Sequence, residues 1–227
     1  MIQFDIEDWR VWPSPPAAPS AQAASDEPPD VSFLPPMQRR RLSRFARIAL
    51  GTAWPLAITD MPLVFASRHG ETSRAQALLS DIARGEPVSP AQFSLSVHNA
   101  LIGLWSILRR DRSEMTALAA EADGLEHAVL EAVTLLQAGA PAVLIVVAED
   151  QPAELFARWM DDVPHPYALA LRVVPGDRWT LTLKPGAGPT AQPARPHALS
   201  LAQALTTDAV ELEHPGQLRG WLWRRLA

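Results

Sequence analysis

Apolar positions along this chain follow three rhythms, and each predicts a different kind of element. The first is strict alternation. Ile2, Phe4 and Ile6 stand against Gln3, Asp5 and Glu7, which predicts a strand over residues 2–12 with one face buried. Trp9 and Trp12 fall at its end. The second rhythm is the unbroken apolar run, PLVFAS at 62–67 and AVLIVVA at 142–148. Runs of this length between breakers predict strands covered on both faces, as in a parallel sheet flanked by helices. The third is helical. Leu42, Phe45, Ala46, Ala49 and Ala53 form a stripe on a helix that opens at Pro35-Pro36 and is limited by Gly51 and Pro55. Ala75, Leu78, Leu79 and Ile82 form the inward row of a helix over 71–84, closed by Gly85. Ser89-Pro90 caps a helix running to Ile107. Asp123-Gly124 turns into another over 125–137, with Val129, Val133 and Leu136 as its apolar rows and Gly139 as its end. Between these two helices, Met115 to Ala120 reads as a strand.

The remainder is less regular. Residues 13–30 are mostly Pro, Ala and Ser, a composition that cannot build a core, and they predict a flexible surface loop. Tyr167–Val174 and Arg178–Lys184 read as two alternating strands joined at Pro175-Gly176-Asp177, a hairpin signal. After a Pro/Gly/Ala linker at 186–197 come a short helix over 199–205 and a final amphipathic helix over 217–226. Leu218, Trp221, Leu222 and Leu226 are the anchors of that last helix. Strand–helix alternation from 62 to 148 sets the fold class. It is α/β, a layered mixed sheet covered by helices, with a C-terminal hairpin and helix. One domain is expected, with its core over 34–149 and the hairpin and C-terminal helices over 150–227.

Composition narrows the function. Apolar residues make up 48% of 227, enough for a sizeable core, and the net charge of −5 disfavours a nucleic-acid binder. The chain has no cysteine, so disulfides, zinc thiolates and a cysteine nucleophile are excluded and a reducing, cytoplasmic location fits. No signal peptide and no run of membrane-spanning length is visible. No cofactor and no metal is expected. Arg39, Arg40, Arg41, Arg44 and Arg47 read first as a solvated basic face. His69 beside Glu71, and His98, read as hydrogen-bonded structural histidines before they read as catalytic ones.

A set of motifs in order adds a resemblance. Asn99, Ala100, Gly103, Ser106 and Ile107, preceded by the text SPAQFSLSVHNA, are similar to the N-x-x-x-G-x-x-S-I helix of β-ketoacyl synthases. These are the condensing enzymes of fatty-acid and polyketide assembly. In that family a strand follows, then a nucleophilic cysteine on a tight turn ending in glycine, then a buried helix. Here Met115 to Ala120 takes the strand and Gly124 the turn, and Glu121 falls at the cysteine's place. Arg40 and Arg41, with Phe45 as the aligned aromatic, resemble the family's cations that dock the acidic acyl carrier protein. The match covers residues 34–149.

The resemblance implies a thiolase-like half-fold. It looks like the first half of a complete enzyme and lacks the second-half histidines. Condensation needs a thiolate to carry the acyl chain and donors to steady an enolate. Glu121 supplies neither, so no catalytic residue is expected for condensation. The chain resembles the short chain length factor-like subunits of aryl polyene-type pathways. That implies a heterodimer with a full-length, cysteine-bearing β-ketoacyl-ACP synthase, contact with acyl carrier protein, and a role in shaping the acyl tunnel. Phe93, Leu95, Leu101, Trp105, Met115 and Ala117 are the tunnel and interface candidates. Two alternatives remain: a stand-alone hydrolase or decarboxylase using Glu121 as carboxylate base, and a carrier-protein-binding scaffold.

Overall fold

The computed structural model describes residues 1–14, 27–160, 162–188 and 195–226. Strand β1 (Ile2–Trp12) opens the chain as its alternation requires, with Phe4 and Ile6 buried. Most of the Pro/Ala-rich loop expected over 13–30 lies outside the described residues. The helix expected from Pro35 is two helices. A single turn, α1 (Pro36–Arg39), is followed by α2 (Arg44–Ala53). Ser43 causes the restart. Its Oγ accepts the Ala46 N–H at 2.9 Å as an N-cap and donates to Glu71 Oε1 at 2.6 Å.

Strand β2 (Leu63–Ala66) leads to α3 (Thr72–Ala83), of which only Leu78 is buried. Leu79 and Ile82, expected to face inward, are exposed. The next helix is also divided, into α4 (Pro90–Ser94) and α5 (Ala100–Arg109). Serines competing for backbone carbonyls explain the break. Ser94 Oγ donates to Pro90 O and Ser96 Oγ to Phe93 O, while His98 Nε2 donates to Ser67 O at 2.8 Å. Strand β3 (Met115–Leu118), helix α6 (Gly124–Gln137) and strand β4 (Val143–Glu149) follow as predicted.

The C-terminal third departs from expectation. The proposed hairpin is one long strand, β5 (Tyr167–Pro185). Its partner β1 pairs Asp5 with Val174 and Phe4 with Trp179, so Pro175–Arg178 is a bulge rather than a reversal. Asp5 fills the bulge, accepting from the Arg178 backbone N–H at 2.8 Å and its Nε at 2.6 Å. A Cβ on Gly176 would collide with that carboxylate. Helix α7 (His197–Thr206) is present, but the expected final helix is strand β7 (Arg219–Arg225), paired with β6 (Glu211–His214) and β5. Leu218 and Leu226, the supposed anchors, are exposed, whereas the three consecutive residues Trp221, Leu222 and Trp223 are all buried. That burial suits a strand covered on both faces, and tryptophan favours strands.

The strands form one mixed sheet in the order β3-β2-β4-β5-β7-β6, with β1 along β5. β2 is parallel to both β3 and β4, and the other pairings are antiparallel. Both faces are buried. Val64, Ile145, Val147, Leu169 and Leu171 pack with α6 and α7, and Leu63, Phe65, Leu144 and Val146 pack with α2 and α5. No described helix is long and apolar enough to cross a membrane.

Candidate functional site

The turn between β3 and α6 carries the residue that the resemblance singled out. Glu121 is exposed, and its carboxylate has no hydrogen bond among the described residues. It stands at the rim of a cavity of about 160 Å³ bounded by the ends of β2 and β4, the start of α6 and the start of α7. Its neighbour Asp123 is the buried one. It accepts from Arg219 Nε at 2.5 Å and Trp221 Nε1 at 3.2 Å. Burial pushes the Asp123 carboxyl up, and those hydrogen bonds outweigh it, leaving it below the usual carboxylate range.

Glu149 lies deeper in the same cavity. Its carboxylate caps the turn after β2, accepting from Ser67 Oγ at 3.1 Å, from the His69 backbone N–H at 3.3 Å and from the Arg68 backbone N–H. Burial outweighs these bonds and pushes it up to about 7. His69 is the hydrogen-bonded turn residue expected, with Nε2 2.8 Å from Asp162 Oδ1.

Sequence reading missed the most buried polar cluster. Glu126 of α6 is fully buried, with its Oε1 accepting from His214 Nδ1 at 2.5 Å and Trp223 Nε1 at 3.0 Å. Its Oε2 accepts from His197 Nδ1 at 2.9 Å. Burial opposes its ionisation, but the two histidine hydrogen bonds prevail and bring it down to about 2. The members lie 71 to 97 residues away from Glu126, so no spacing could have revealed them. Glutamate and two histidines, with ligand atoms within 4.8 Å of one another, are also a donor set for a divalent metal. The geometry is against it. The two rings stack at 3.9 Å with their planes 16° apart, and planes so nearly parallel meet only well outside the rings. Both lone pairs therefore cannot aim at one ion. The cluster is a hydrogen-bonded knot tying α6 to α7, β6 and β7.

Around the site, the surface candidates divide. β3 is hydrogen-bonded to β2 along one edge and has no partner on the other among the described residues. Met115 and Ala117 are half-buried on it, beside α5. Phe93 is 59% exposed and Leu95 half-buried. Leu101 and Trp105 are not surface residues. They are buried in the chain's own core, where Trp105 packs edge-on to Trp54. The row that α5 presents outward is Gly103 and Ile107, the latter 71% exposed. Arg40 and Arg41 sit in the turn after α1, both exposed and without an ion pair among the described residues.

The chain is similar to one from the complex of the ketosynthase ApeO with its chain length factor ApeC from Xenorhabdus doucetiae. That match has 27% identity, covers 99% of this chain and 100% of that one, and has a TM-score of 0.85. The ishigamide ketosynthase/chain length factor matches at 15% identity and TM-score 0.56, over 67% of this chain and 51% of that one. A β-ketoacyl synthase from Burkholderia phymatum STM815 matches at 14% and 0.52, over 78% and 56%. The chain thus spans about half the length of these last two, and the shared architecture is the thiolase-like α/β fold. No match was found among curated proteins. A sheet of this order, a glycine-ended turn between β3 and a buried α6, and a match of residues 9–224 to the β-ketoacyl synthase N-terminal domain together make this chain a member of the β-ketoacyl synthase family.

Proposed function

We propose that the chain is a non-catalytic, chain length factor-like subunit. It pairs with an active β-ketoacyl-ACP synthase and shapes that partner's acyl tunnel, in a polyene, polyketide or fatty-acid-type pathway. The end-to-end match to a chain of the ApeO–ApeC complex carries this reading. The match covers 100% of that chain but only 56% of the Burkholderia β-ketoacyl synthase. The absence of cysteine and the exposed Glu121 agree with a subunit that holds no acyl chain. The edge of β3 that has no partner among the described residues, with Phe93 and Ile107 exposed nearby in the chain, is the kind of surface a partner covers. Aryl polyene assembly is the pathway we favour, with acyl carrier protein docking at Arg40 and Arg41 in the cytoplasm.

Co-expression with a full-length, cysteine-bearing ketosynthase tests the pairing. Co-purification is expected, and Met115→Asp or Ala117→Asp should abolish it, because an unpaired charge buried at an interface costs several kcal/mol. Phe93→Ala should keep the complex and shift product length. Aspartate variants that still co-purify at wild-type yield, with unchanged circular dichroism, would show that β3 is not the interface.

A further inference from the structure

Helix α5 is apolar nearly all round, since every residue of Ala100–Arg109 except Gly103, Ser106 and Arg109 is apolar. A helix of that composition is ordinarily covered on every side. This one is not. Ala100, Leu101 and Trp105 are buried, whereas Gly103 is exposed and Ile107, one turn along the same row, is 71% exposed.

Gly103 has no purpose within its own chain. Its backbone is ordinary helix, with its N–H donating to Asn99 O at 3.2 Å and no left-handed φ. A Cβ added there would meet nothing within 4 Å. The other glycines with such open space, Gly85, Gly139 and Gly188, have positive φ, which accounts for them. Gly51, inside α2, is accounted for by a neighbour, because a Cβ there would come within 2.7 Å of Pro29 Cβ. Gly103 has neither reason, although glycine in an exposed helix interior weakens folding about fivefold relative to alanine. The remaining use of a helical glycine is to let another backbone come close.

We propose that Gly103 is the point of closest approach of the ketosynthase partner, where the main chain of an apolar segment of that partner sits on Gly103 and its side chains cover Ile107. This rests on the pairing proposed above and names a contact within it. Helix α5 lies against β3, so a partner covering the unpaired edge of that strand reaches this helix as well. The row of Asn99, Gly103 and Ile107 carries no charge, so it suits an apolar segment of the ketosynthase and not an acidic carrier protein.

Calorimetric titration of the full chain with a full-length, cysteine-bearing ketosynthase tests this, alongside urea unfolding of the chain alone. Gly103→Ala should shift the unfolding equilibrium about fivefold towards the folded state and yet weaken pairing about tenfold. Gly103→Leu should fold, because its side chain enters open space, and weaken pairing about a hundredfold, the scale of an overpacked contact. Gln203→Leu puts a leucine on an exposed position of α7 and should leave pairing within twofold. Wild-type affinity in Gly103→Leu overturns the proposal, as does a Gly103→Ala chain less stable than wild type, since the glycine would then serve its own fold. Either result leaves the pairing itself standing, whereas a wild-type chain that does not bind the ketosynthase overturns the pairing and this contact with it.

Discussion

Replacing Glu126 with leucine would orphan three buried N–H donors at once. His197 Nδ1, His214 Nδ1 and Trp223 Nε1 all bond to this fully buried carboxylate. Each buried donor left without an acceptor costs about 1–3 kcal/mol, and breaking a buried charged network as a unit costs about 3–5 kcal/mol. We expect about 4 kcal/mol of lost stability. Linkage offers a second route to the magnitude. The Glu126 carboxyl drops from 4.5 to about 2, and at about 1.4 kcal/mol per unit this corresponds to about 3 kcal/mol. The sign is that of a depressed acid. The contribution is fully present above pH 4.5 and is lost as pH falls through about 2. Urea unfolding followed by tryptophan fluorescence reads both effects, since Trp223 sits in the knot. Glu126→Leu should lower the midpoint strongly at neutral pH and flatten the acid limb of the stability profile. Glu126→Gln keeps one acceptor oxygen and should cost less than leucine. A Glu126→Leu variant within about 1 kcal/mol of wild type would refute the reasoning, because it would mean the three donors find other partners.

Glu121→Gln should leave pathway output within severalfold in a complemented strain, whereas a loss beyond about a hundredfold, the scale of a proton-transfer group, would make Glu121 catalytic. Charge reversal at Arg40 and Arg41 should slow association with an acidic carrier protein in stopped-flow, with the defect shrinking as salt rises. Unchanged rates at low ionic strength would return these arginines to an ordinary solvated face. Glu149 has the opposite linkage to Glu126. Its raised carboxyl stabilises the fold below pH 4.5, and that contribution is lost as pH rises through about 7. The stability difference between wild type and Glu149→Gln should therefore change between pH 5 and 8, and a constant difference in urea unfolding across that range contradicts the assignment.

Local sequence pattern determined the layered core. Alternation in β1, the unbroken apolar runs of β2 and β4 and the 3.6-residue rows of α2 and α6 each follow from one element burying a face, and burial is a property the chain carries locally. The ordered motifs from Asn99 to Gly124 likewise pointed to the family, because their spacing lies within one strand–helix unit. What only the tertiary structure decided was which neighbour an ambiguous segment meets. Leu218, Trp221, Leu222 and Leu226 fit a helix by spacing, but Asp123 and Glu126 bind Trp221 and Trp223, and β5 offers a free ladder, so the segment is a strand. Pro175-Gly176-Asp177 has the chemistry of a reversal, but the Asp5 carboxylate from a strand 170 positions earlier holds it as a bulge. Trp105 and Phe93 look alike in sequence, yet one is buried against Trp54 and the other is exposed, because α4 and α5 diverge at a serine-rich break. The Glu126 knot and the cavity that holds Glu149 draw their members from distant elements. Hydrogen bonds between such groups depend on where the sheet brings the elements together, and no local period in the chain records that.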